Sequence, residues 1–183
     1  MPRIVDHEAR RAELLDGAFE LFAERGWSAL TMRGIARELQ VSTGTLYHYF
    51  DGKVAMARAM YARRVGRDVE LAETIIPANA HPLVAAAATA EFIVGRADDL
   101  QRSLLVALDF SRQEGDDIRE IIVENVARYR GVLCDRLGLT PARASTVLSF
   151  FFGIFVQRHL DPDSVDMPAQ LQALATLLPD VAS

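Results

Sequence analysis

The chain has 183 residues, of which half are hydrophobic and only 8% are aromatic, and its formal net charge is −5. This length allows a substantial core in one or two domains, and because no strand-like alternation of Val, Ile and Thr persists, the pattern predicts an all-α protein. The longest wholly apolar run, near residues 150–156, is far shorter than the roughly 20 residues of a membrane-spanning helix, and no signal peptide opens the chain. We therefore expect a cytoplasmic protein with no membrane partner.

Charge is distributed unevenly along the chain. Residues 1–66 hold ten basic and eight acidic side chains, a balance of about +2, and the remainder carries about −7. A weakly basic end on an acidic body is the polarity expected of a protein that turns only one end toward phosphate groups. The negative net charge therefore does not exclude a nucleic-acid partner.

Two helices are predicted before residue 40. The first runs from about residue 6 to residue 25, and Gly26 follows it as a left-handed stop. The second begins after Thr31, whose hydroxyl can cap it, and ends near Leu39. The residues predicted to form the apolar faces of these two helices are Leu14, Leu15, Ala18, Phe19 and Phe22 in the first and Ile35, Ala36 and Leu39 in the second.

A turn at residues 40–42 leads into a third helix, which Ser42 or Thr43 caps and which ends near Phe50. Leu46 and Phe50 lie four residues apart and face the preceding helix. The opposite face carries hydroxyl and imidazole groups and one bare backbone position, which suit hydrogen bonds to base edges and phosphates in a DNA major groove. The residues on that face are Thr43, Gly44, Thr45, Tyr47 and His48.

The run VSTGTLYHYFDGK, with TMRGIARELQ before it, resembles the DNA-binding domain of the tetracycline-repressor (TetR) family of transcriptional regulators. The resemblance covers roughly residues 6–60 and rests on spaced identities rather than on one short pattern. Two positions depart from it, since Gly34 stands where an acidic residue is frequent and Gln40 stands where a turn glycine is frequent. The resemblance implies a homodimeric regulator, most simply a repressor, that binds a palindromic operator in double-stranded DNA and responds to a small-molecule effector.

Nine residues are predicted to contact DNA. Thr43, Tyr47 and Arg33 are the expected base readers, while the others anchor phosphates and Gly44 admits close approach of the backbone. Lys53 lies in the first turn of the next helix, where a cation is unfavourable for the helix dipole unless a phosphate is shared between the ammonium and the helix N-terminus. The predicted DNA contacts are Thr31, Arg33, Ser42, Thr43, Gly44, Thr45, Tyr47, His48 and Lys53.

Residues 1–52 are predicted to form the helix-turn-helix domain, which is called the reading head below. Six further helices are predicted in a helical body at 53–183, which gives nine in all. The body is the expected ligand-binding and dimerisation domain. Its predicted helices cover about 53–74, 82–95, 98–114, 116–138, 141–160 and 166–178.

The long helix from residue 53 crosses the predicted boundary, so a ligand that tilts it could change the spacing of two reading heads. The neighbouring helices are rich in Ala, Leu and Val with a few polar groups, which predicts a mostly apolar cavity for an apolar or amphipathic molecule. The residues predicted to line it are Met60, Phe92, Leu104, Leu108, Phe110 and Tyr129.

The helix that begins near residue 141 has more apolar surface than one stripe can bury, because Phe150, Phe151, Phe152, Ile154 and Phe155 are nearly consecutive. We expect one side of it to pack within the protomer and another to pack on a second copy, together with the last helix. The residues predicted at this dimer interface are Phe151, Phe155, Leu171, Leu174 and Leu178.

An enzyme is the main competing class, and the sequence offers it little. The chain has no phosphate-binding Gly-rich loop, no His-Glu-x-x-His, no Gly-x-Ser-x-Gly and no cluster of metal-ligand spacing, so neither catalysis nor a metal or cofactor is expected. Two alternatives stay open at this stage. The protein could be a helical protein-interaction or coactivator subunit without operator binding, or a repressor that needs no ligand.

Overall fold

The computed structural model of the protein describes residues 7–113 and 116–177, and this part of the chain is all-helical, as predicted. The described residues form nine α-helices and one short 3-10 helix at Pro162–Ser164. The α-helices are α1 (His7–Arg25), α2 (Met32–Glu38), α3 (Thr43–Tyr49), α4 (Gly52–Ile75), α5 (Pro82–Gly95), α6 (Ala97–Ser111), α7 (Asp116–Leu137), α8 (Pro141–Leu160) and α9 (Met167–Leu177).

The helix ends follow local sequence signals. Gly26 ends α1 with a φ of 76°, a conformation that is cheap only for glycine. Pro82 and Pro141 each occupy the first turn of a helix, where the missing N–H of proline costs nothing. These starts and stops agree with the predicted ones. The end of α6 differs, because the helix stops at Ser111 and not near residue 114. Leu178, predicted in the last helix, lies outside the described residues.

The chain divides into two compact units. Unit 1 comprises residues 1–64 and 106–122, and unit 2 comprises residues 65–105 and 123–183. This division differs from the predicted boundary at 52/53, because the end of α6 and the start of α7 complete the core of the first unit. As a result α4, α6 and α7 each contribute residues to both units.

An aromatic cluster explains why unit 1 needs residues from α6. Phe110 is fully buried, and its ring centroid lies 5.2 Å from that of Phe22, 4.7 Å from that of Trp27 and 5.5 Å from that of Tyr61, each in an edge-on arrangement. The Oδ2 atom of Asp109, the residue immediately before Phe110, accepts a hydrogen bond from the backbone N–H of Trp27 at 2.6 Å. The loop that follows α1 is therefore held by α6 through both apolar and polar contacts.

Unit 2 has its own core and one buried charged group. Its apolar centre includes Phe92, Phe151, Ile154 and Phe155. Asp68 on α4 is only 3% exposed, and its carboxylate accepts a hydrogen bond from Arg96 at 2.8 Å and one from the hydroxyl of Tyr129 at 2.6 Å. Burial of a carboxylate is tolerated here because both of its oxygens have donors.

Within the described residues, no single helix is both long and apolar enough to cross a membrane. Only α7 and α8 counted together, across a sharp bend, reach that length and composition.

Candidate nucleic-acid interface

Side chains cap the N-termini of both helices of the helix-turn-helix. The Oγ1 atom of Thr31 accepts a hydrogen bond from the backbone N–H of Gly34 at 3.1 Å, so the cap forms even though Gly34 cannot return the contact with a side chain. Ser42 caps α3 in the same way, since its Oγ atom accepts from the N–H of Thr45 at 2.9 Å. The hydroxyls of Ser42 and Thr45 also bond to each other at 2.8 Å.

The turn between α2 and α3 contains a left-handed residue that is not glycine. Gln40 has a φ of 55°, which costs a side-chain-bearing residue on the order of 1 kcal/mol. The N–H of Val41 donates to the carbonyl of Ala36 at 2.9 Å and closes the end of α2. The departure from the family's turn glycine therefore leaves the turn in place.

Packing leaves the predicted DNA face of α3 open. Ile35 and Ala36 of α2 and Leu46 of α3 are fully buried, so the two helices meet through these residues. Tyr47 is 56% exposed, although it is a large aromatic residue. The other predicted contacts are exposed at Thr31, Arg33, Ser42, Gly44 and His48 and half-buried at Thr43, Thr45 and Lys53.

Gly44 is not required by the packing of the protein itself. A Cβ atom at this position would come near one atom only, the Oγ of Ser42, at an ordinary distance of 3.6 Å. The free protein could thus carry alanine here, and a glycine at this exposed position is consistent with close approach by a DNA backbone.

Lys53 has a structural role that the sequence did not reveal. Its Nζ atom donates hydrogen bonds to the carbonyls of Trp27 at 2.9 Å and Leu30 at 2.8 Å and lies 4.1 Å from the centroid of the Trp27 ring. Burial lowers the pKa of the ammonium, and attraction to Asp109 opposes that shift. These contacts explain a lysine in the first turn of α4 without DNA, and a phosphate contact, which stays a prediction, would use the third N–H.

Two residues near this face were not predicted. Arg37 lies one turn after Arg33 on α2, and its side chain is largely exposed, so the four-residue spacing could have identified it. His7 comes from the start of α1, and its ring centroid lies 5.5 Å from that of His48. No local pattern could have found His7, because 41 residues separate the two histidines.

The comparisons with known proteins agree with this geometry. The sequence model described as "Bacterial regulatory proteins, tetR family" matches residues 14–60, the segment from α1 to the first part of α4. The chain is 30% identical over 178 residues to the HTH-type transcriptional regulator BetI of Brucella suis biovar 1 (strain 1330), which covers 91% of this chain and 88% of the relative. The chain belongs to the TetR family.

Solved structures show that the TetR-family fold extends over the whole chain. A transcriptional regulator from Pseudomonas aeruginosa PAO1 superposes with a TM-score of 0.79 at 20% identity, covering 98% of this chain and 93% of its own. The FadR regulator of Bacillus subtilis, solved in complex with stearoyl-CoA, gives a TM-score of 0.75 at 21% identity over 91% of this chain and 96% of its own. This TetR-family protein is a DNA-binding transcriptional regulator and not an enzyme.

Unit 2 of this TetR-family regulator contains an apolar cavity of about 600 Å³. It lies between α5, the end of α7, α8 and α9, and its few polar lining groups are Thr89, Glu91 and Gln172. The apolar lining residues are Leu83, Ala86, Ala87, Ala90, Val94, Leu137, Leu139, Val147, Phe151, Pro168, Leu171 and Leu174. The volume falls within the range of small-molecule sites, and the lining has the mostly apolar character that was predicted.

The six residues predicted to contact a ligand do not line this cavity. Met60 and Phe110 belong to the packed core of unit 1, where Leu108 is exposed on the surface. Phe92 and Leu104 belong to the core of unit 2, and the hydroxyl of Tyr129 is bonded to Asp68. The residues that line this cavity are therefore different from the predicted ones, because helical spacing marks a residue as apolar but does not say which helix covers it.

The residues predicted at the dimer interface lie in different surroundings in the structure. Phe151 and Phe155 are buried inside the protomer and leave little surface for a second copy, which corrects their assignment to an interface. Leu171 and Leu174 are half-buried against the core of unit 2, and Leu178 lies outside the described residues. Another face of α8, which carries Thr146, Ser149 and Gly153, is the exposed one.

The part of the chain that the structure describes contains no group of three or more His, Cys, Asp and Glu side chains that could hold a metal ion.

Proposed function

We propose that the protein is a cytoplasmic, homodimeric repressor that binds a palindromic operator and leaves it when a small apolar or amphipathic molecule enters the cavity of unit 2. The observation that carries the proposal is the combination of a polar, exposed face on α3 with an apolar cavity on the other unit of the same chain. The helices α4, α6 and α7 each continue from one unit into the other. A change in the conformation of unit 2 on ligand binding can therefore reach the helix-turn-helix through these helices.

Operator recognition is tested at Tyr47, an aromatic side chain of α3 that is 56% exposed. Tyr47→Ala should weaken binding to an operator selected from random duplexes by about 10- to 100-fold, the loss expected for one base-reading side chain. Fluorescence anisotropy at fixed salt measures the affinity. Val123→Ala, an exposed position in unit 2, serves as the control and should bind like the unaltered protein. Unchanged affinity of Tyr47→Ala would remove this residue from the interface.

The effector half of the proposal is supported by the shape and chemistry of the cavity. The Bacillus subtilis FadR, which shares the fold, was solved with stearoyl-CoA, an amphipathic molecule. A ligand changes operator affinity only through its different affinity for two conformations of the protein, and such coupling is typically worth about 1–3 kcal/mol. An apolar cavity supplies that difference when its closure around the ligand favours one conformation of α5 and α9.

Ala90→Trp tests the cavity directly. Ala90 is a small lining residue on α5, so an indole at this position should fill part of the volume and weaken binding of dodecanol by at least about tenfold, while operator affinity is kept. Titration calorimetry and anisotropy measure the two affinities. Val123→Trp places the same ring at an exposed position outside the cavity and should bind dodecanol normally. If neither dodecanol nor the twelve-carbon amphiphiles dodecanoate, dodecyl phosphate and dodecylammonium bind the unaltered protein, a ligand-independent repressor becomes the better description.

Dimerisation is tested on the exposed face of α8. A Cβ at Gly153 would meet no atom within 4 Å in the protomer, so Gly153→Arg should fold but should block a second copy of α8. Sedimentation velocity at micromolar concentration should show a dimer for the unaltered protein and a monomer for this variant. Gly131→Arg, on α7, is a matched control at an equally open helical glycine. A monomeric unaltered protein would contradict the dimer, and a dimeric Gly153→Arg would place the interface elsewhere.

A further inference from the structure

A second, polar cleft adjoins the apolar cavity of unit 2. It has a volume of about 560 Å³ and lies where α5 ends and α6 begins, beside the end of α8 and the start of α9. Its charged lining residues are Arg96, Asp98, Asp99 and Arg158. Two cations and two anions face one small volume, and their hydrogen-bond partners decide which ligand charge the cleft can accept.

The acidic groups of the cleft already have donors. Asp99 accepts from the Nη1 atom of Arg96 at 2.6 Å, and Asp98 pairs with the Nη2 atom of Arg158. The Nη2 atom of Arg96 donates to the buried Asp68. Both carboxylates that line the cleft are therefore engaged by guanidinium groups.

The basic groups retain unused donors. The Nε atom of Arg96 and the Nη1 atom of Arg158 are buried, and neither has a hydrogen-bond partner among the described residues. A buried N–H of a charged group is costly to leave without an acceptor, and planar guanidinium donors match the oxygens of a carboxylate or phosphate. These two N–H groups lack acceptors, which an anion supplies and an ammonium group cannot. Because both atoms are buried, an anion in the cleft reaches them only when the guanidinium groups turn toward it.

The two cavities share part of their walls. Val94 on α5 lines both of them, and on α9 Met167 lines the polar cleft while the next residue, Pro168, lines the apolar cavity. The two cavities are therefore neighbours, and a molecule that occupies both would have its apolar chain in the larger cavity and its head group beside the two arginines.

We propose that the effector is an amphipathic anion, with its chain in the apolar cavity and a carboxylate or phosphate head against Arg96 and Arg158. This inference rests on the proposed effector function and adds the charge of the head group to it. The side chain of Asp98 is largely exposed, so it can turn into solvent when the anion takes its place on Arg158.

The test compares four probes that share a twelve-carbon chain: dodecanoate, dodecyl phosphate, dodecanol and dodecylammonium. Each is titrated into the full chain below its micelle-forming concentration, and heat is recorded. At least one of the two anions should bind about tenfold more tightly than dodecanol, because charge-assisted hydrogen bonds to a guanidinium are worth that factor or more. Dodecylammonium should bind no better than dodecanol. The anion whose affinity exceeds that of dodecanol by the larger factor identifies the preferred head group.

Arg158→Gln is the decisive variant, since Arg96 also holds Asp68 and its loss would disturb the fold. Arg158→Gln should abolish most of the preference for the anion and leave dodecanol binding unchanged. Arg136→Gln is the matched control, because Arg136 also pairs with an acidic residue of unit 2 but lines neither cavity. This control should keep the preference.

The outcomes separate this inference from the function on which it rests. If dodecanol binds and neither anion binds more tightly, or if Arg158→Gln keeps the preference, the head-group assignment is overturned and the apolar effector site remains. Tighter binding of dodecylammonium would overturn the assignment as well. If none of the four probes binds, the cavity is not an effector site, and the effector half of the proposed function falls together with this inference, while operator binding is unaffected.

Discussion

Phe110→Ala should lower the free energy of unfolding of unit 1 by about 3–5 kcal/mol, the cost of deleting a fully buried aromatic ring. The ring contacts Phe22, Trp27 and Tyr61, which come from three separate segments of the chain, and the space it leaves cannot be refilled by one neighbour. Trp27 is the only tryptophan, so its fluorescence during urea denaturation reports on the cluster directly.

Leu108→Ala provides the matched control on the same helix. Leu108 is 42% exposed, and its truncation should change the stability by about 0.5 kcal/mol or less. Equal effects at the two positions would contradict the assignment of Phe110 to the core of unit 1. The pair also tests the predicted role of Phe110 in a ligand cavity, since truncation of a cavity-lining residue would cost far less stability than truncation of a packed core residue.

Asp68→Ala should destabilise unit 2 by about 3 kcal/mol. Removal of one partner from a buried ion pair is costly because the other group keeps its charge and loses its acceptor. Here the side chain of Arg96 would lose one of its two carboxylate partners, and the hydroxyl of Tyr129 would lose the carboxylate that accepts its hydrogen bond. Urea denaturation followed by far-ultraviolet circular dichroism measures the change.

Glu73→Ala is the control for that prediction, because Glu73 lies on the same helix and also pairs with an arginine of unit 2. Its side chain is 47% exposed and its distance to Arg136 is 3.4 Å, so the loss should be below about 1 kcal/mol. Tyr129→Phe should fall between the two, since it removes one hydrogen bond to Asp68 and no charge. A loss at Asp68 no larger than that at Glu73 would mean that the buried network does not stabilise the unit.

Local rules determined the helices and the reading head. A threonine or serine that caps, a proline in a first turn and a glycine after a last turn act within about four residues, so Thr31, Ser42, Pro82, Pro141 and Gly26 could be interpreted without any tertiary information. The helix-turn-helix is itself a local motif of about 20 residues, and the resemblance to the TetR family rested on it. The family assignment is confirmed, while the contacts of individual side chains with DNA stay predictions.

Only the tertiary structure decided what covers each apolar face. The sequence predicted Met60 and Phe110 beside a ligand and Phe151 at a dimer interface. The hydrophobic effect is non-directional, so an apolar side chain does not specify whether its neighbour is a core, a ligand or a second protomer. The apolar cavity joins Leu83 to Leu174 across 91 residues of sequence, and no pattern within one helix encodes that meeting. Lys53 illustrates the same limit for a polar group, because its acceptors are carbonyls more than 20 residues away, brought into reach by the folding of unit 1.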